Sequence, residues 1–165
     1  MSVRKILTWP DKRLRTAAAD VPAVTDEIRA IWRDMVETMD AMPGVGLAAP
    51  QIGVMLRLAV VDTSEARNKR ILLANPEVVD ASAIMNVHEE ASPCLSGVSA
   101  KISRPRGVKV RYVDDSGAVV ERDFVGLDAT SVQHQIDHLA GKMYFDRLSK
   151  MKRDMLIKRA AKLNG

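Results

Sequence analysis

His134 and His138 stand four residues apart in the run His134-Gln135-Ile136-Asp137-His138. On a helix, residues i and i+4 lie one above the other, so both imidazoles reach the same point in space and could bind one metal ion. The spacing fits equally a pair of solvated or capping histidines. Cys94 is the only cysteine in the 165 residues. A thiolate with two imidazoles makes a three-ligand set that leaves a fourth position for water. A lone cysteine is also commonly an inert buried residue, and spacing alone does not bring Cys94 to the histidines. The third segment is Gly44-Val45-Gly46-Leu47-Ala48-Ala49-Pro50-Gln51. Its glycines let the backbone approach a ligand closely. It also reads as a helix end and connector, and no Gly-Lys-Ser/Thr follows to make it a phosphate loop.

These groups need elements to hold them. Asp26 to Met42 carries Ile28, Ile31, Trp32, Met35, Val36 and Met39 on one helical face, with Thr25 as N-cap and Pro43-Gly44 as stop. Leu56 to Val61 and Ile71 to Ala74 read as strands. Gly107 to Val113 and Ala118 to Val125 read as a hairpin across Asp114-Asp115-Ser116-Gly117. Asp128 is expected to cap a helix that runs to about His138 and so carries both histidines. A last helix over Ser149 to Leu163 bears Lys150, Lys152, Arg153, Lys158, Arg159 and Lys162. Strands mixed with a few helices, without βαβ alternation, indicate α+β.

A chain of this length, 47% hydrophobic, fits one domain over residues 1–165 with an ordinary core. Its single cysteine excludes an internal disulfide framework. The opening MSVRKILTWPDKRL lacks an apolar signal region, and no run approaches membrane-spanning length, so a cytoplasmic protein is expected. The net charge of +4 permits a polyanionic partner without demanding one.

Taken in order, Gly-x-Gly-Leu-Ala-Ala-Pro-Gln at Gly44–Gln51, Cys-Leu-Ser at Cys94–Ser96 and Gln-His-x-x-Asp-His at Gln133–His138 resemble the three motifs of the peptide deformylases. Similarity extends along most of the chain, through Ile6-Leu7, Pro10-Asp11, Leu14, Asn75-Pro76, Gly141-Lys142, Asp146 and Leu148. The resemblance implies an α+β fold with mixed or antiparallel sheets around a central metal-binding helix. It implies one divalent ion, Fe(II) natively with Zn(II) or Ni(II) as substitutes, held by Cys94, His134 and His138. That ion would acidify a water for attack on the formyl carbon of an N-formylmethionyl peptide. Gln51 and the Leu95 N–H would donate to the developing oxyanion. Gly44, Val45, Gly46 and Pro93 would receive the substrate, with Gly46 in an edge that pairs with its backbone. Ser131 and Val132 would line the methionine pocket. Asp137 is expected in a structural role near a ligand, and His88 as an ordinary surface or loop residue. The expected state is a monomer with no DNA or membrane partner, and the basic last helix fits either a ribosome contact or a merely solvated face.

Two positions depart from the family pattern. Gln135 stands where the family has the Glu that carries the proton, and a carboxamide takes up no proton at neutral pH. Ser92-Pro93 stands where the family has Glu-Gly before the cysteine, and Glu89 and Glu90 fall upstream of that register. Activity weakened by Gln135 is therefore expected. The alternative is a silent relative that binds N-acylated peptides or the ribosome.

Overall fold

The computed structural model describes residues 2–164. Helix α1 (Asp26–Ala41) starts where the Thr25 side chain accepts the Ile28 N–H at 3.3 Å, and Asp26 and Glu27 complement the helix dipole. It ends as the Gly44 N–H closes on the Met39 carbonyl at 2.9 Å. Seven strands follow, and two further helices come after the last of them: β1 (Gly46–Ala48), β2 (Leu58–Val61), β3 (Ile71–Ala81), β4 (Met85–Glu90), β5 (Ala100–Pro105), β6 (Gly107–Val113) and β7 (Val119–Val125). One antiparallel sheet runs β1-β2-β3-β6-β7, and β4 pairs with β5 in a second.

β2 explains why its four residues are all apolar. Leu58 and Val60 face α1 with Trp32, Met35 and Met39, while Ala59 and Val61 face the opposite layer. A strand covered on both faces needs no polar alternation. The opposite layer is α2 (Leu127–Leu139), whose Ala129, Val132 and Leu139 pack with Val110, Tyr112 and Phe124. Val132 therefore belongs to the core and does not line a pocket, which corrects the sequence reading. The opposite face of α2 carries Ser131, His134, Gln135 and His138.

The N-cap of α2 is Gly126, not Asp128. Gly126 sits at φ 65° and ψ −131°, a conformation that side chains with a β-carbon avoid. Asp128 lies in the first turn instead, where it favours the helix dipole and accepts from the Thr63 hydroxyl. β3 runs seven residues past the expected end at Ala74. Asn75-Pro76 reads as a stop, but the ladder shifts register there and resumes at Glu77. Asn75, at φ 52°, clasps Val21 through both its N–H (2.8 Å) and its carbonyl (2.9 Å).

A third cluster joins Cys94, Leu95, Ile102, Tyr144 and Phe145 to Leu156 and Ala160 of the last helix, α3 (Lys150–Asn164). Among the described residues, no helix is long and apolar enough to cross a membrane.

Candidate metal centre

The polar face of α2 brings His134 and His138 together: their Nε2 atoms lie 3.2 Å apart. Two nitrogens, each about 2.0–2.1 Å from one tetrahedrally bound ion, are themselves about 3.3 Å apart. The observed pair is thus at the separation that a shared ion requires. Burial, with the neighbouring His134 adding to it, holds the His138 imidazole well below its ordinary 6.5, so it stays neutral and ligand-competent. His138 Nδ1 is buried without a partner among the described residues.

His134 is fixed. Its Nδ1 lies 2.8 Å from Glu90 Oε1. Glu90 also accepts from Arg104 Nε (2.6 Å) and Nη2 (2.9 Å), and Arg104 is 1% exposed. Burial alone would push the Glu90 carboxyl up, but the bonds from His134 and Arg104 and the guanidinium charge hold it below its ordinary value. An ionised carboxylate only accepts, so His134 Nδ1 bears the proton and its Nε2 presents a lone pair toward His138. Arg104 Nη1 continues to Asp137 at 2.9 Å, and Asp137 is held by Arg147 at 2.7 and 2.9 Å. Asp137 thus acts on His134 through Arg104 and Glu90, not directly.

Cys94 is 1% exposed and lies in the short turn Pro93–Leu95. Gln51 Nε2 reaches its Sγ at 3.5 Å, and Tyr144, which shares its apolar cluster, stacks on His134 at 5.8 Å. Burial pushes the Cys94 thiol up, offset only in part by hydrogen bonds from Gln51 and Ser92. The Gln51 carboxamide is oriented by its Oε1, which accepts the Ala48 N–H at 2.9 Å, so its N–H₂ end must face the sulfur. Among the described residues, no three His, Cys, Asp or Glu side chains already stand as a metal cage. The two Nε2 atoms at shared-ion spacing suit a divalent ion of the zinc or iron type, and a thiolate such as Cys94 could supply is of the chemistry that completes such a set.

Beside this centre lies a cavity of about 460 Å³, walled by Met42–Gly46 on one side, by Glu89–Pro93 on the other, and floored by Gln51, Ser131, His134 and Gln135. Gly44, Val45, Gly46 and Pro93 all line it. β1 is an edge strand, free to accept a further strand. Ser131 fastens α2 to it by donating to the Val45 carbonyl at 2.9 Å. A β-carbon at Gly46 would fall 2.5 Å from Gln135 Nε2 and 2.7 Å from Ser131 Oγ, so only glycine fits. Pro93 occupies the first position of its turn, where no N–H is needed, and the Ser92 side chain accepts the Cys94 N–H at 3.2 Å. The Leu95 N–H, expected as a free donor, is engaged by the Ser92 carbonyl at 3.1 Å. The turn closes on itself through that bond.

Sequence reasoning missed Glu90 and Arg104. Glu90 was set aside as out of register, yet the chain from Ala91 to Pro93 bridges it to Cys94 and leaves it on His134. An arginine at an inward position of β5, alternating with buried Ile102, is the signal that a buried carboxylate must face it. His88 is likewise no bystander: it is half-buried in β4, and its Nδ1 lies 2.7 Å from the hydroxyl of Thr130, which lines the cavity.

An antiparallel sheet between two helices, with His134 of α2 lining a cleft beside the edge strand β1, defines an α+β protein with a paired-imidazole centre at that cleft. The sequence pattern of the polypeptide deformylase family matches residues 3–154. Peptide deformylases of Afipia carboxidovorans and Rhodopseudomonas palustris are 42% and 43% identical, each over 98% of this chain, and the match covers 96% and 95% of the respective relative. A crystal structure of the Ehrlichia chaffeensis peptide deformylase in complex with actinonin superposes with a TM-score of 0.93 at 36% identity, covering 99% of both chains. That of the Legionella pneumophila peptide deformylase gives 0.92 at 38%, covering 98% of this chain and 95% of that one. The chain belongs to the peptide deformylase family, whose members are metal-dependent.

Proposed function

We propose that this protein is a peptide deformylase that removes the N-formyl group from N-formylmethionyl ends of nascent proteins. The observation that carries the reading is the facing Nε2 pair of His134 and His138, 3.2 Å apart, with His134 lining a cleft of about 460 Å³. Cys94, His134 and His138 are assigned to one divalent ion, Fe(II) natively, with Zn(II) or Ni(II) able to replace it. Such an ion supplies an acidified water and Lewis-acid polarisation of a carbonyl. Glu90 keeps the His134 lone pair aimed. Gln51 Nε2 is the preorganised donor for the oxyanion. The Leu95 N–H takes a shared part, bifurcating from the Ser92 carbonyl. The edge formed by Gly44, Val45 and Gly46, with Pro93 opposite, receives the peptide backbone.

Gln135 sets the rate. With no group at that position able to take up a proton, turnover is slow. The test is formate release from formyl-Met-Ala-Ser by the Fe(II)-loaded protein beside a Gln135→Glu variant. Slow release by the wild type, with the variant faster by about 10²–10⁴-fold, is expected. Absence of release from both while both hold metal overturns the reading.

The protein is further assigned to the cytoplasm as a single-domain monomer, with α3 as its ribosome contact. Leu156 and Ala160 dock α3, which leaves Lys150, Lys152, Lys158, Arg159 and Lys162 on its exposed side. Ribosome pelleting of the full chain, compared with a chain lacking residues 150–165, separates this contact from a merely solvated helix.

A further inference from the structure

Gln135 is 4% exposed yet lines the cleft. Its two ends differ. The Nε2 end is pressed against Gly46 of β1. The Oε1 end is enclosed and receives no hydrogen bond from any described residue. A buried acceptor without a donor is unfavourable until a ligand supplies one. Of the carboxylates in the cleft, only the one at its rim is uncommitted. Its two lining carboxylates are Glu89 and Glu90: Glu90 is committed to Arg104 and His134, while Glu89 is exposed at the rim beside the Ser99 hydroxyl at 3.2 Å. The interior therefore presents one unmet, uncharged acceptor and nothing to pair with a cation.

We propose that Gln135 is the specificity-determining group of this cleft: its Oε1 accepts the amide N–H of an N-acylated methionyl end, and its neutrality offers the ammonium of the deacylated product no counter-charge. The inference rests on reading the cleft as the deformylase site. It gives the carboxamide a function that a carboxylate would perform badly, because a carboxylate attracts the ammonium product as well as the amide substrate. The acylated end is held and the free amine is released.

The test is calorimetric binding to the Zn(II)-loaded full chain, with formate followed so that only intact ligand is counted. Three probes separate the two parts of the claim: formyl-Met-Ala-Ser, the same peptide N-methylated at its methionine, and free Met-Ala-Ser. Wild type is compared with Gln135→Met, which keeps the shape without the acceptor, and with Gln135→Glu. Wild type is expected to favour the formyl peptide by about tenfold or more over both other probes. Gln135→Met should bind the formyl peptide and its N-methyl form within about twofold of each other, and Gln135→Glu should regain affinity for the free amine. If N-methylation costs wild type and Gln135→Met the same factor, or if Gln135→Glu leaves the free amine unmoved, the assignment of Gln135 fails while the deformylase reading stands. If the wild type binds no formyl peptide at all, both fall.

Discussion

Glu90 accepts the Nδ1–H of His134 at 2.8 Å, and this contact decides which nitrogen of His134 is available to a ligand. Behind it stands Arg104, a fully buried guanidinium shared between Glu90 and Asp137. Removing one partner of a buried pair strands the other charge. Arg104→Met is therefore expected to lower unfolding free energy by about 3–5 kcal/mol. The double variant Glu90→Gln/Arg104→Met, with no stranded charge at either position, should recover part of that loss. Urea unfolding of both reads the coupling; strictly additive losses would mean that the two side chains do not act together.

The pH dependence of the metal-free protein follows from three kinds of group. Glu90 and Asp137 have carboxyls held below their ordinary 4.5 and 3.8: burial raises each, but hydrogen bonds and nearby guanidinium charge outweigh it. Their stabilisation is present above those values and is lost as pH falls through the lower, folded-state ones. His138, pushed well below 6.5 by burial, acts in the same direction: the unfolded chain takes up its proton first, so stability declines as pH drops below 6.5. Cys94, pushed above 9.0 by burial, contributes below 9.0 and loses its contribution as pH rises further. A urea midpoint that is flat between 6.5 and 9.0 and falls on both sides is expected. A midpoint that rises on acidification below 6.5 would contradict this assignment. If Cys94 ligates the ion as proposed, metal loading displaces its proton and metal affinity should rise across the same window.

Gln51→Glu keeps an acceptor for the Ala48 N–H but replaces the donor on the Cys94 side with a second carboxylate oxygen. Loss of one preorganised donor is expected to lower kcat by about 10²–10³-fold with KM little changed. Steady-state formate release measures both. A fall expressed through KM alone would assign Gln51 to ground-state binding.

Gly46→Ala places a methyl group where Gln135 and Ser131 already crowd. An overpacking cost of about 1–3 kcal/mol is expected, together with weaker peptide binding as β1 is pushed from α2. Gly46→Ala/Gln135→Ala should restore most of the stability. Thermal unfolding that shows no recovery would place the clash elsewhere.

Much of the scaffold is legible in the sequence because its elements obey simple periods. Thr25 and the apolar stripe behind it define α1. The alternation of Ala129, Val132 and Leu139 with Ser131, His134 and His138 divides α2 into a sheet face and a cleft face. The site is legible through motif order, since no period links Cys94 to a helix forty residues later. What escaped reading has a common cause. On β4 the apolar residues Met85 and Val87 face outward, while His88 and Glu90 face in. A strand that serves a polar centre inverts the pattern by which strands are recognised. β1 has three residues, too few for any period, and the engagement of the Leu95 N–H depends on how the turn after Ser92 closes.

The partners at this centre are far apart along the chain: His88 meets Thr130 across 42 residues and Glu90 meets His134 across 44, with the β6–β7 hairpin intervening. Cys94 is enclosed further by Leu156 and Ala160 of α3. During synthesis, then, the sheet and α1 have their residues outside the ribosome well before the centre has its own. The growing chain therefore carries Glu90 and Arg104 for some time before His134 arrives to complete their hydrogen-bonded group, and the ordering of the centre waits on the emergence of α2.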